Sequence, residues 1–195
     1  MSDKAAKKKQ YILDTARKVF AQKGFKDVTM KDIVEACEIS RGGLYIYFNS
    51  TEEIIEELLR QETMETDDVF SRNINENCSA GDVLALFLKE QKKELVTGKE
   101  NMSVAVYEYL FAAHKKGVPD TVIKPKFDAA VDILSHLIDD GVENGEFYCE
   151  DTLSAARNIM YVIEGLKIAS QTFGVTERDI DRELLYIMSG LIAED

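Results

Sequence analysis

The residues best suited to chemistry form one short run, residues 40–48, with the sequence SRGGLYIYF. Arg41 carries a planar fork of N–H donors, which can hold a guanine base through two hydrogen bonds. Tyr45 and Tyr47 are suited to donate hydrogen bonds to phosphate oxygens. Inside a helix, each glycine of the run would cost about 1 kcal/mol relative to alanine. The glycine pair therefore favours an interpretation in which the backbone approaches a ligand closely. The alternative interpretation is a weak helix start, with the arginine and the tyrosines as solvated surface residues.

Two short helices are predicted to position this run, at about 30–37 and 41–48, with a tight turn between them. Leu44 and Phe48 lie four residues apart on the second helix and should face inward, which leaves Arg41 on another face. A short helix, a tight turn and a second short helix form the helix-turn-helix geometry, in which the second helix enters the DNA major groove. The spacing therefore predicts that residues 41–48 contact DNA.

The charge is distributed unevenly along the chain, whose net charge is -12. Residues 1–48 hold ten Lys and Arg against six Asp and Glu, a balance of +4. Residues 49–195 hold fourteen against thirty, a balance of -16. A basic front segment favours contact with a polyanion such as DNA, whereas the acidic remainder does not. The asymmetry indicates two separate tasks on one chain.

Almost every other segment repeats its apolar residues at the helical period, and no segment has the pattern of a strand. Thr29 and Ser50 begin capping-box patterns at two helix starts, and Gly24 suits the left-handed position that follows a helix. We expect an all-α protein of about nine helices, with a three-helix domain over 1–50 and a helical regulatory domain over 51–195. The further helices are expected at 51 to about 72, from Ser79 to Gly98, at 102–114, after Pro119 and Pro125 as far as Gly141 or Gly145, at 151–173 and at 176–193.

The composition is that of a globular protein, with 45% apolar and 31% charged residues. Its apolar runs fall short of the roughly 18–20 residues that span a bilayer, and the N-terminus lacks the apolar segment of a secretory signal. Cys37, Cys78 and Cys149 are widely spaced, which fits free thiols in a reducing compartment. The expected location is therefore the cytoplasm, with no membrane partner.

From about Ile12 to Ile54 the sequence resembles the tetracycline-repressor (TetR) family of bacterial transcriptional regulators. The order and spacing match the family pattern at many positions, which is more specific than a lone helix-turn-helix. The resemblance implies an all-helical homodimer, with an N-terminal DNA-binding domain and a C-terminal domain for dimerisation and small-molecule sensing. The residues that carry the resemblance are Phe20, Gly24, Phe25, Thr29, Ile33, Ala36, the run 40–48 and Glu52.

The resemblance also implies roles for individual residues. In such proteins the residues that match Thr29, Ser40, Tyr45 and Tyr47 usually contact phosphates, while the position of Arg41 reads bases. The complete set predicted to bind DNA is Thr29, Lys31, Ser40, Arg41, Gly42, Gly43, Tyr45, Tyr47 and Thr51.

Two positions depart from the family pattern. The turn commonly carries glycine where this chain has Glu38, so the turn must accommodate a side chain. The helix after Phe48 commonly carries lysine where this chain has Thr51. This difference removes one positive partner for phosphate, although the threonine hydroxyl can still donate a hydrogen bond.

Beyond about residue 60 the resemblance is one of length and helix count. Helix 102–114 places polar groups within an apolar segment, which is typical of a core helix with a polar outer edge or of a ligand-pocket wall. Helices 151–173 and 176–193 carry broad apolar faces and are predicted to form a homodimer as a four-helix bundle. The residues predicted to line an effector pocket are Tyr107, Glu108, Phe111, His114, Tyr161 and Glu164.

These observations predict a sequence-specific repressor that binds a palindromic operator as a dimer and is released by a small-molecule effector. The acidic surroundings favour a cationic or neutral apolar effector over an anion. The alternative is a protein of the same fold that organises DNA or binds protein partners without an effector. An all-helical enzyme is a third class, but the sequence offers no nucleophile–base pair, phosphate loop or metal-ligand spacing around His114 and His136. We therefore predict no enzymatic activity, metal or cofactor.

Overall fold

The computed structural model describes residues 3–61, 78–97, 102–121 and 123–192. These residues form nine helices and no strand, which confirms the all-α prediction. The helices are α1 (Asp3–Lys23), α2 (Met30–Ala36), α3 (Arg41–Tyr45), α4 (51–61), α5 (Ala80–Thr97), α6 (Ser103–Lys115), α7 (Ile123–Glu143), α8 (Thr152–Thr172) and α9 (Glu177–Ser189).

The chain divides into two compact units that alternate along the sequence. Unit 1 comprises Met1–Glu65 and Lys99–Ile123, and unit 2 comprises Thr66–Gly98 and Lys124–Asp195. Unit 1 therefore contains α6 in addition to α1–α4. The functional division expected near residue 50 stays a prediction.

The core of unit 1 forms where the apolar stripe of α1 meets the helix-turn-helix segment. Ile12 and Phe20 of α1 are fully buried, as are Ile33 of α2 and Leu44 of α3. Phe48 is also buried, so the predicted inward face of residues 41–48 is confirmed. α6 completes this core, because Met102 and Ala105 belong to the same buried cluster.

The core of unit 2 is built from α5, α7, α8 and α9. Leu84, Leu134, Ile138 and Ile163 are fully buried in it, and Leu184 of α9 lies in the same cluster. Apolar residues at helical spacing thus turn one face of each helix inward, and this burial is the main source of helix stability.

The ends of α7 are set by proline and glycine. Pro125 lies in the first turn of the helix, where its missing N–H leaves no intrahelical bond unmade. Gly145 has φ +75° just after the helix, so it supplies the left-handed residue that ends it. Gly141 lies inside α7, and it is glycine because an added Cβ would come within 2.2 Å of the Phe147 ring. Of the two predicted stops, Gly145 is the one used.

Helix ends elsewhere differ slightly from expectation. α3 ends at Tyr45 rather than 48, because the Tyr47 N–H bonds back three residues to the Leu44 carbonyl (2.9 Å) in a tighter turn. The Asp82 N–H donates to the Ser79 hydroxyl (3.0 Å), as expected at the start of α5. The predicted continuation of α4 to residue 72 and the stop at Gly98 lie outside the described residues.

Candidate nucleic-acid interface

α2 begins with the predicted capping box. The Asp32 N–H donates to the Thr29 hydroxyl oxygen (3.3 Å), and the Thr29 N–H donates to the Asp32 carboxylate (2.9 Å). The Lys23 ammonium donates to the same carboxylate (2.6 Å), and these contacts hold the pKa of Asp32 well below its usual range. The Thr29 hydroxyl also donates its proton to Asp32, so a contact between Thr29 and a phosphate would have to replace that bond.

The turn between α2 and α3 accommodates a side chain in an unusual conformation. Glu38 has φ 52°, a left-handed conformation that costs a non-glycine residue about 1–2 kcal/mol. Glu38 is exposed, so its side chain extends into solvent. The Tyr11 hydroxyl donates to the Cys37 carbonyl (3.2 Å) and ties the turn to α1. The chain therefore adopts at Glu38 the geometry for which glycine is suited.

The two glycines of α3 differ in their surroundings. The Ser40 hydroxyl oxygen accepts the N–H of Gly43 (3.1 Å), and an added Cβ on Gly43 would lie 3.2 Å from that oxygen. An added Cβ on Gly42 would meet nothing within 4 Å. The helix cap accounts for Gly43, whereas Gly42 keeps open a space on the outside of α3.

Arg41 and Tyr45 lie together on the exposed face of α3, as the four-residue spacing predicts. The Arg41 guanidinium carbon is 5.5 Å from the centroid of the Tyr45 ring. A cation over an aromatic face is held by the ring quadrupole, which limits the orientations of a long side chain. Both side chains are exposed, so the guanidinium is held at the surface with its N–H donors available.

The far end of the predicted interface is less positive. Tyr47 packs partly against the core of unit 1 and lines a groove of about 220 Å³ with Lys9 and the carboxylates of α4. The Thr51 hydroxyl donates to the Glu52 carboxylate (3.4 Å), and Glu52 also pairs with Lys116 (3.6 Å). At the position where the family commonly carries lysine, this chain therefore has a hydroxyl already bonded to an acid.

Two further predictions concern this region. Lys31 is exposed on α2 and forms an ion pair with Glu35 (3.6 Å). The Glu53 N–H donates to the Ser50 hydroxyl as predicted, but the Glu53 carboxylate accepts from the N–H of Asn49 rather than of Ser50. The Glu53 carboxylate therefore accepts the N–H of the residue just before the one that the capping-box pattern predicts.

Ile46 is the surface residue that the sequence pattern did not identify. It is 78% exposed at the end of α3, next to Tyr45. An exposed apolar side chain on such a helix can contact the methyl group of thymine. The sequence feature that could have identified Ile46 as exposed is its position outside the inward-facing pair formed by Leu44 and Phe48.

The six residues predicted to line an effector pocket are divided between the units. Tyr107, Glu108, Phe111 and His114 lie on α6 in unit 1, whereas Tyr161 and Glu164 lie on α8 in unit 2. Phe111 is 61% exposed, and the Glu108 carboxylate accepts two backbone N–H groups of unit 1. In unit 2 the Tyr161 ring lies 5.3 Å from that of Phe127. A pocket shared by all six stays a prediction.

Metal-binding groups and membrane-spanning helices are both absent from the described part of the chain. There, no group of three or more His, Cys, Asp or Glu side chains is placed to hold a metal ion. None of the helices in the described ranges is both long and apolar enough to cross a membrane. Burial raises the pKa of the Cys37 thiol, which behaves as part of the unit 1 core.

Two family models match the chain. The model for bacterial regulatory proteins of the tetR family matches residues 12–58, and that for the tetracyclin repressor-like C-terminal domain matches residues 83–181. Among curated relatives, the HTH-type transcriptional regulator YfiR of Bacillus subtilis is 31% identical over 141 residues, 72% of this chain and 68% of that protein. The HTH-type transcriptional regulator UidR of Escherichia coli is 37% identical over 62 residues, 32% of each chain.

Solved structures share the fold over nearly the whole chain. A TetR-family regulator from Rhodococcus sp. has a TM-score of 0.75 at 20% identity and covers 96% of this chain and 100% of its own. The regulator FadR from Bacillus subtilis, solved in complex with stearoyl-CoA, has a TM-score of 0.71 at 20% identity and covers 93% and 98%.

Proposed function

The chain belongs to the TetR family of helix-turn-helix transcriptional regulators, and from that premise we propose that it is a repressor that a small-molecule effector releases from a palindromic operator. The observation that carries the DNA-binding part is the exposed Arg41, stacked on Tyr45 at the first turn of α3. The first turn of a recognition helix is where contacts to base edges concentrate. A guanidinium held there can read a guanine in each half-site.

Phosphate contacts are proposed for the hydroxyls and cations around this reader. The Ser40 oxygen accepts from Gly43, which leaves its proton available for a phosphate. Lys31 precedes α3 in the sequence and Tyr47 follows it, and we propose that both contact phosphates. Gly42 leaves open space on α3, which would let the DNA backbone approach the helix. We propose weaker contributions from Thr29 and Thr51, because each hydroxyl already donates to a carboxylate.

A dimer through unit 2 would place two copies of α3 on two half-sites. The apolar residues that turn inward, such as Ile163 and Leu184, stabilise the core of unit 2 itself. A second apolar set remains exposed and supports the proposed dimer face: Leu153, Tyr161, Ile168, Phe173, Leu185, Tyr186 and Ile192. Gly165 and Ala169 line a shallow groove of about 380 Å³ beside it.

The test of base reading compares Arg41→Ala with Tyr47→Phe. We expect Arg41→Ala to cost about 1–3 kcal/mol at the operator and to relax the preference at one base pair per half-site. Tyr47→Phe removes one hydroxyl and should weaken binding to every sequence by about 1 kcal/mol, the net value of one hydrogen bond. Affinities would be measured at fixed salt against the operator, its single-base variants and random DNA.

The outcomes separate the proposed functions. A uniform loss for Arg41→Ala across all sequences would mean that Arg41 positions the protein without reading a base. A wild-type protein that binds operator and random DNA within about tenfold would instead favour the DNA-organising alternative, since a repressor should prefer its site by roughly 10³ or more.

The effector part needs a separate experiment. Family membership and the acyl chain of the stearoyl-CoA bound by FadR support a ligand with an apolar chain. The CoA group of that ligand is negatively charged, but the net charge of -12 on this chain favours an effector without negative charge. Decyltrimethylammonium, decanol and decanoate share one chain and differ only in head group. Below micelle-forming concentrations, the cationic and neutral probes should release the operator at lower concentration than the anion. Release by decanoate alone would contradict the proposed charge preference.

A further inference from the structure

One carboxylate of α6 binds the turn that joins α1 to α2. The Glu108 Oε2 atom accepts the backbone N–H of Phe25 (2.7 Å) and that of Lys26 (3.0 Å). These donors lie 83 and 82 residues earlier in the chain. A carboxylate that accepts two backbone N–H groups forms charge-assisted hydrogen bonds, which are stronger than those between neutral groups.

The turn is shaped to receive this carboxylate. Gly24 is buried, has φ +76°, and would place an added Cβ 2.7 Å from the Glu108 Oε2 atom. Glycine therefore meets two requirements here, the left-handed backbone and the space that the carboxylate occupies.

Neighbouring contacts keep α6 in register with the turn. The Tyr109 hydroxyl donates to the Glu56 carboxylate of α4 (2.6 Å). The Tyr109 ring meets the Phe25 ring edge-on, with centroids 5.3 Å apart and planes at 77°. Adjacent residues of α6 thus hold both the turn before α2 and the helix that follows α3.

We propose that Glu108 is a positioning residue for operator binding, which acts through the turn at residues 24–26. This inference rests on the proposed DNA-binding function. Lys26 lies three residues before the cap of α2 at Thr29, so the two Glu108 bonds fix where the helix-turn-helix begins relative to α1. Recognition contacts tolerate displacements of only about 0.5 Å. Glu108 lies outside the matched DNA-binding segment 12–58, so the motif itself gives no indication of this role.

A matched control exists in unit 2. The Glu146 carboxylate accepts the N–H groups of Ala80 (3.2 Å) and Gly81 (2.9 Å) at the start of α5. Glu146→Ala therefore removes the same number of bonds of the same kind, in the unit that does not contain the helix-turn-helix. The readouts are operator affinity of the folded protein, the thermal midpoint, and amide hydrogen exchange at Phe25 and Lys26.

We expect Glu108→Ala to weaken operator binding roughly tenfold, in the range known for residues that act on a binding site without touching the ligand. Amide exchange at Phe25 and Lys26 should become faster in the same variant. Glu146→Ala should lower the thermal midpoint similarly but change operator affinity by less than about twofold. Glu108→Gln keeps an acceptor oxygen and should retain affinity within about threefold of wild type.

Two results would overturn the inference. One is wild-type operator affinity in folded Glu108→Ala, and the other is an equal loss in Glu146→Ala, which would show a general effect of stability. If Glu108→Ala does not fold, Glu108→Asp, one methylene shorter, is measured in the same way, and an unchanged affinity would count against the inference. Failure of the wild type to select any operator is a distinct result, because it contradicts the proposed function instead.

Discussion

Two helices in different units begin with the same capping box. In unit 1 the Asp32 N–H lies 3.3 Å from the Thr29 hydroxyl oxygen, and in unit 2 the Asp179 N–H lies 3.2 Å from that of Thr176. The return bonds from the threonine N–H groups are 2.9 and 3.2 Å. The local chemistry that starts a helix is therefore nearly the same in both units.

The exposed surfaces of the units differ. On α3, unit 1 exposes Arg41 and Tyr45, beside the open space over Gly42. On α8 and α9, unit 2 exposes apolar side chains such as Tyr161 and Leu185. A charged, hydrogen-bonding surface suits DNA, and an apolar surface suits another protein chain. Caps and buried cores therefore determine where the helices form, whereas the residues exposed outside the cores determine which kind of partner each unit can bind.

The largest expected effect is on the apolar surface of unit 2. Leu185 is 64% exposed on α9, so Leu185→Glu should leave the monomer folded. If α9 forms the dimer interface, the new carboxylate would be buried without a partner, at a cost of about 2–5 kcal/mol. Association should weaken roughly 30-fold or more, which sedimentation at micromolar concentration would detect as a shift to monomer.

The control for this prediction is another exposed apolar residue of unit 2. Ile133 is 46% exposed on α7, and Ile133→Glu should leave the dimer intact. A dimer that survives Leu185→Glu, or that is lost equally in Ile133→Glu, would mean that the exposed α9 face does not hold the copies together.

A matched pair of glycines tests both surfaces with one kind of substitution. Gly42 lies in α3 and Gly165 in α8, and an added Cβ meets nothing within 4 Å at either. Alanine at each position should raise the free energy of unfolding by up to about 1 kcal/mol, because it favours the helix. Gly42→Ala should nevertheless weaken DNA binding, and Gly165→Ala should weaken dimerisation.

Thermal unfolding, operator titration and sedimentation of both variants would check this prediction. The expected result is a crossed pattern, in which each variant loses one interaction and keeps the other. If Gly42→Ala binds the operator as tightly as the wild type, the space over Gly42 is not used by DNA, and the glycine is explained by neither the cap nor the ligand.

Features that depend on a few neighbouring residues could be predicted from the sequence. The cap at Thr29, the left-handed Gly24 and the inward pair of Leu44 and Phe48 all follow from spacings of four residues or fewer. Such patterns are local, so hydrogen bonding and periodicity indicate them directly.

Features that depend on distant segments could not be predicted. The sequence identified Glu108 as polar within an apolar helix, but its partners Phe25 and Lys26 lie more than eighty residues away. Apolar periodicity indicates which face of a helix is buried, but it does not indicate which other element packs against that face. Gly141 shows a similar limit at short range, because the glycine is explained by the Phe147 ring, which packs on it only after the chain turns back at Gly145.

The smallest expected effect returns to the two capping boxes. The pKa values of Asp32 and Asp179 are both held below the ordinary value of about 3.9. Each carboxylate therefore stabilises the fold fully above about pH 4–5, and that contribution is lost as the pH falls below the ordinary value toward the folded one. The strongest partner of Asp32 is the Lys23 ammonium, whereas that of Asp179 is the Thr176 hydroxyl, with Arg182 contributing less.

This difference predicts unequal responses to salt. At 1 M NaCl the screening length is about 3 Å, so the exposed Lys23–Asp32 pair should weaken more than a bond to a neutral hydroxyl. Carboxyl NMR titrations at low and high salt should show a larger rise in the pKa of Asp32 than of Asp179. Lys23→Gln should abolish the excess, because it removes the ammonium and leaves the capping box in place. Equal rises in the wild type would mean that the two boxes are alike in their charge as well as in their geometry.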